Sequence, residues 1–163
     1  MPYEHDTTAM PEDEANAVIA RVRRSIAART SEALRRVIGE LARAHAVVAL
    51  AIREPPFDDL PVTVAAVRTS HRLLCAADGM LYQLALCHAA RQLNLDVQMC
   101  RRGTEAARAA QYLGVTPGAV DEFVGGVGRP EGPPWTQEHR RAYAAGIAAL
   151  AAHSPGRLRI PRV

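Results

Sequence analysis

Apolar residues at Ala15, Ile19, Val22 and Ile26 recur at intervals of three and four, and Leu34, Val37 and Leu41 carry the same rhythm onward. A period near 3.6 places them along one side of a long amphipathic helix, expected over residues 11–44 with Thr30-Ser31 as its weakest point. Pro11 gives this helix a rigid start, and Glu12, Asp13 and Glu14 put negative charge where the helix dipole favours it. The rhythm then shortens. Residues 46–52 and 62–67 read as strands, and Glu54-Pro55-Pro56-Phe57-Asp58-Asp59 between them reads as the bend of a wide hairpin. A period of two over residues 71–76 sets His71, Leu73 and Cys75 on one face of a third strand. Asp78 is then expected to open a helix carrying Leu81, Leu84, Ala85 and Cys87 that stops at Asn94, with a short fourth strand at 97–100.

The remainder reads as helical. Thr104 caps a helix that ends at Gly114, and Thr116 with Pro117 opens another that should dissolve at Gly125, Gly126 and Gly128. After a Gly-Pro-Pro-Trp loop at 132–135, a last helix over 136–152 is expected to bury Tyr143, Gly146, Ile147 and Leu150. Residues 1–10 and 154–163 lack periodicity and read as tails, the first of them disordered. The sum is one α/β (α+β) domain over 11–153: a long N-terminal helix, a small mixed sheet with its central helix over 46–100, and a helical C-terminal half over 104–153. Three antiparallel strands, a helix and a fourth strand would be the opening order of a ribonuclease H-like architecture.

Composition narrows the chemistry. With two Phe, one Trp and four Tyr in 163 residues, the core must be built from Ala, Leu, Val and Ile. Every basic residue is arginine, which excludes Schiff-base chemistry and a P-loop lysine. Net charge is only +3, so the whole chain makes a weak case for a polyanionic partner. The outer face of the first helix makes a better one, since Arg21, Arg24, Arg35 and Arg36 could grip phosphates, although a solvated face explains them more simply. Cys75, Cys87 and Cys100 are odd in number and have no tight spacing, as expected in a reducing cytoplasm. Neither a signal peptide nor a membrane span is expected.

Two-metal nucleases of the ribonuclease H-like architecture need a carboxylate on the first strand, one on the following helix and one near the fourth strand. Asp78 and Glu105 could fill the second and third roles, with His71 beside them, but the first strand carries no acid and Glu54 and Asp58 lie too far along the hairpin. His71, Cys75, Cys87, His88 and Cys100 are zinc-type ligands without the short spacing of a structural site, so no metal or cofactor is expected. Ser70, His71 and Asp78 lack the G-x-S-x-G elbow of a hydrolase triad. Residues 105–124 place Ala110, Gly114, Val115, Val120 and Phe123 where a helix-turn-helix places its small, turn and core residues, yet the second helix offers Asp121 and Glu122 to a polyanion.

From Thr69 to Leu150 the chain resembles a group of small bacterial proteins that share Ser70-His71, Ala77-Asp78-Gly79 with Tyr82, Gly128-Arg129 and Gly132-Pro133-Pro134-Trp135; the group usually has glutamate in place of Asp78. The resemblance implies a fold neighbourhood and a candidate cleft of Ser70, His71, Asp78 and Trp135, with no activity attached. The expected function is that of a non-catalytic or weakly catalytic binding protein, a homodimer through its first helix, with nucleic acid as partner. The rivals are a metal-dependent hydrolase using Asp78, Glu105 and His71, and a module that only dimerises or docks another protein.

Overall fold

The computed structural model describes residues 3, 7, 9–55, 60–132 and 134–160, with backbone alone for 129–131. It is a mostly helical α+β protein of six helices and a two-stranded parallel sheet among those residues. In chain order these are α1 (Glu12–Leu41), β1 (Ala49–Arg53), α2 (Val64–Val67), α3 (His71–Gln92), β2 (Asp96–Cys100), α4 (Glu105–Leu113), α5 (Pro117–Glu131) and α6 (Gln137–His153). They fall into two compact units: a helical unit, Met1–Ala46 with Pro55–Asn94, and a sheet unit, Val47–Glu54 with Leu95–Val163.

In the helical unit α1 runs unbroken through Thr30 and Ser31, a length of about 45 Å at 1.5 Å per residue. Ala15 and Ile19 bury into a cluster with Val64, Val67, Leu74, Ala77 and Leu81. The strands expected at 62–67 and 71–76 are helix instead. Thr63 caps α2 by accepting the Ala66 N–H at 3.2 Å, and the six apolar-rich residues after Ser70 are the first turns of α3. A short apolar run cannot by itself distinguish strand from buried helix, and here the unbroken helical pairing with the segment beyond decides. Asp78 therefore sits inside α3 rather than capping it, 2% exposed. Asn94 ends the helix with a positive φ of 56°, a conformation asparagine tolerates better than most residues. By length and composition alone α3 could cross a membrane, but half of its apolar window is buried inside the protein.

Tyr3 and Thr7 lie within the stretch expected to be a disordered tail, yet both are buried. The Tyr3 N–H donates to Asp78 Oδ1 at 3.0 Å, Arg68 donates to Met10 O at 2.8 Å and also to Thr7 O, and Arg23 donates to the Tyr3 hydroxyl at 3.3 Å. Residues 56–59 of the expected hairpin bend lie outside the described residues.

The sheet unit contains no hairpin among its described residues: β1 pairs with β2 in parallel, Ala49 opposite Asp96 through Arg53 opposite Cys100. Parallel neighbours need a long crossover, and the chain between them is the α2–α3 segment. Alanine sets the packing of the helices. Ala109 and Ala110 of α4 meet Ala144 and Ala148 of α6, with Val120, Val124 and Ile147 completing the cluster. Gly114 closes α4 in the left-handed region at φ 67°, and its neighbour Val115 N–H returns to Ala110 O at 3.1 Å. Thr104 precedes α4, but its hydroxyl donates back to Arg101 O instead of accepting from the helix. Thr116 caps α5 through the Ala119 N–H at 3.2 Å, with Pro117 in the first turn.

α5 does not dissolve at its glycines. Val120, Val124 and Gly128 are buried at intervals of four, and at the third position an added Cβ would fall within the Trp135 indole. The missing side chain is the seat of the tryptophan. On α6, Ile147 is buried as expected, whereas Tyr143 and Leu150 are 40% and 42% exposed.

Candidate functional site

The expected catalytic residues are not gathered into one site within either unit. His71 and Asp78 belong to the helical unit and Glu105 to the sheet unit. His71 is exposed in the first turn of α3 with its Nε2 3.5 Å from Cys75 Sγ. The Asp78 carboxylate is enclosed, and one of its oxygens accepts the Tyr3 N–H. Ser70 precedes α3 without a side-chain cap bond to the helix. Trp135 lies in the sheet unit, so the cleft of Ser70, His71, Asp78 and Trp135 is not built within either unit. Among the described residues, no group of three or more His, Cys, Asp or Glu is placed to hold a metal ion.

The arginine face is built. At about 100° per residue, Arg21, Arg24, Arg29, Arg35 and Arg36 fall within roughly 140° of the α1 circumference, centred about 130° round the helix from Ala15 and Ile19. All five are exposed, and Glu32 is the one acid between positions 21 and 36. None of the five makes an ion pair or side-chain hydrogen bond among the described residues. The sequence pattern marks four of them; Arg29 escapes it because it lies at the margin of the arc, where it also edges an apolar groove of about 470 Å³ lined by Leu34, Val37, Tyr82 and Leu86.

A second candidate lies at the carboxyl ends of the two strands, where open α/β sheets place ligands. A cavity of about 160 Å³ there is lined by Arg53, Cys100, Glu105, Glu138 and Arg141. Glu105 is 7% exposed, and burial outweighs the lowering pull of Arg108 to push the Cys100 thiol above its ordinary value. Glu138 accepts from both Arg102 and Arg141 at 2.9 Å. Desolvation, the largest single influence, raises its pKa, but the two guanidinium groups together prevail and hold the carboxyl below its usual range. Of the charged groups lining the cavity, Glu138 and Arg141 satisfy each other.

A third feature, also in the sheet unit, is an apolar cavity beside Trp135. The indole stacks on His139 at 5.9 Å and meets Tyr143 edge-on at 6.1 Å. The second helix of the α4–α5 pair exposes Asp121 and Glu122, so its charge is wrong for a DNA groove.

No family model, curated protein or solved structure matches this chain.

Proposed function

We propose that the protein is a non-catalytic nucleic-acid-binding module that contacts the phosphate backbone through the outer face of α1. The observation that carries this reading is the run of exposed, unpaired guanidinium groups, Arg21, Arg24, Arg35 and Arg36 with Arg29 beside them, along about 22 Å of one rigid helix. Each keeps a fork of donors suited to phosphate oxygens, and a helix holds them in register without ordering them on binding. Such contacts recognise backbone, not base sequence. A two-stranded parallel sheet does not by itself carry a ribonuclease H-like order, and the proposal rests on the α1 surface alone.

We further propose a cytoplasmic homodimer joined along α1. The apolar arc of this helix continues past its buried part to Val37 and Leu41, 44% and 45% exposed, with Tyr82 of α3 51% exposed. That face points away from Arg21, Arg24, Arg35 and Arg36, so pairing through it leaves those four outward, with Arg29 at its edge. The free thiols of Cys75, Cys87 and Cys100 fit a reducing compartment.

Filter binding of a short duplex across a salt series tests the first proposal. Affinity should fall with log salt at a slope near −0.9 per phosphate engaged, about −3 to −4 here, and replacing Arg21, Arg24, Arg35 and Arg36 by Ala should flatten it. No binding at low salt, or a slope the variant leaves unchanged, removes nucleic acid as partner. Sedimentation of Val37→Asp tests the dimer: the mass should halve, and a wild type that already sediments as a monomer removes the pairing. Deleting α1 would be the wrong test, since Ala15 and Ile19 belong to the core.

A further inference from the structure

From the sheet unit alone, and independently of the α1 surface, we infer a binding site for a small apolar monocarboxylate beside Trp135. The cavity measures about 590 Å³, within the usual range for small-molecule sites. It is lined by Tyr143, Gly146 and Leu150 on the outward face of α6 and by Leu158 and Ile160 of the segment that follows this helix. Exposed apolar side chains at these spacings leave carbon surface in water that a ligand would cover.

The aromatic end of the cavity is fixed before any ligand arrives. Trp135 is seated over Gly128, where no side chain competes for the space. The Trp135 Nε1 atom is buried against Gly128 without a partner among the described residues, and the ligand assignment does not rest on it. His139 is held by its own helix: the Thr136 N–H donates to His139 Nδ1 at 3.2 Å, and Thr136 Oγ1 lies 2.8 Å from the same atom. With Nδ1 occupied as an acceptor, the neutral ring carries its proton on Nε2 and presents a donor.

The polar groups of the lining all have one sense. Beyond the Tyr143 hydroxyl, its side chains offer the His139 donor and the exposed Arg159 guanidinium, which makes no ion pair or side-chain hydrogen bond among the described residues, and no acid is present. A ligand that matches carbon walls and a cationic rim is apolar with a single anionic end. A neutral oil leaves Arg159 unused, and an amine meets a like charge.

The chain holds one tryptophan, so its fluorescence reports on this site alone. Titration with decanoate should change the Trp135 emission saturably, with calorimetry giving one ligand per chain, and decanamide should bind at least tenfold more weakly. Arg159→Ala should bring decanoate down to the affinity of the amide. In Gly146→Phe the new side chain enters the cavity from an exposed helical position with nothing within 4 Å of its Cβ, so α6 should fold as before while binding is lost. Equal affinity for acid and amide in the wild type, decanoate binding unchanged by Gly146→Phe, or no saturable signal each overturns the site. So does self-association that Gly146→Phe abolishes, since a second copy would then occupy the cavity.

Discussion

The two units put arginine to contrasting uses. In the sheet unit, Arg108 donates to Met99 O and to Gln98 Oε1 at 3.1 Å, tying α4 to β2, while Arg102 and Arg141 converge on Glu138. On α1 the five arginines of the outer face have no such partners among the described residues. A guanidinium whose donors are consumed by the fold has little left for a phosphate, whereas one held at a helix surface with its donors free has most of its capacity available. Net charge, here +3, averages over both kinds and so hides the difference. What identifies an anion-binding face is positive charge that the protein itself does not use.

The most direct way to break this contrast is to remove each set in turn. Replacing Arg21, Arg24, Arg35 and Arg36 together by Ala should weaken duplex binding by about 4,000-fold at about 0.1 M salt, at roughly eightfold for each phosphate no longer engaged. Replacing Arg102 and Arg141 together should change it less than about threefold, because both guanidinium groups are already engaged by Glu138. Similar losses from both variants, read by the same filter assay, would mean that only total charge matters.

Some helix ends and the charged face were legible because each rests on local chemistry. Thr116-Pro117, Gly114 and the three acids after Pro11 act within one turn, and the four arginines named from sequence need only helical geometry to share a side. Interactions spanning the chain were not legible. Asp78 followed by glycine looks like a helix start, and the Tyr3 N–H, 75 positions away, helps explain how a carboxylate can sit buried in mid-helix. The segment at 71–76 alternates well enough for a strand, and tertiary packing overrode that pattern. Gly128 looked like a breaker, whereas its lack of a side chain serves Trp135.

That seat yields the next prediction, which sharpens the account of the sheet unit as a place of interior fit. Alanine usually favours a helix over glycine by roughly 1 kcal/mol. At Gly128 the methyl would overlap the indole, so Gly128→Ala should instead destabilise by about 3 kcal/mol in urea unfolding. In a Trp135→Leu background the same substitution should cost little, since the obstructing ring is gone; an equal cost in both backgrounds would remove the steric account. Arg108→Ala should follow at about 2 kcal/mol, the size of a lost charge-assisted hydrogen bond, while Arg35→Ala should stay within about 0.5 kcal/mol. If Arg35 proved as costly as Arg108, the division between used and unused arginines would fail on stability grounds.

The smallest effect concerns Glu138, and its sign is the informative part. Against desolvation, the largest single influence and an upward one, Arg102 and Arg141 together hold the folded carboxyl below its ordinary value of 4.5. A depressed folded value means the ion pairs stabilise the protein above the unfolded value and stop doing so as the pH falls through the folded one. Wild type should therefore melt slightly above Glu138→Gln near neutral pH, and the two curves should merge as the pH drops well below 4.5. Because the carboxylate is exposed, about 0.5 M salt should shrink the gap at neutral pH as well. Cys100 provides the opposite slope within the same unit: burial raises its thiol above 9.0, so its contribution is present below that pH and is lost as the solution becomes more alkaline. A Cys100→Ser variant should flatten the alkaline limb and leave the acidic limb unchanged, whereas Glu138→Gln should do the reverse. Melting curves in which either substitution moved the other limb would show that the two groups titrate as one cluster, and Glu138 would then no longer count as a surface ion pair.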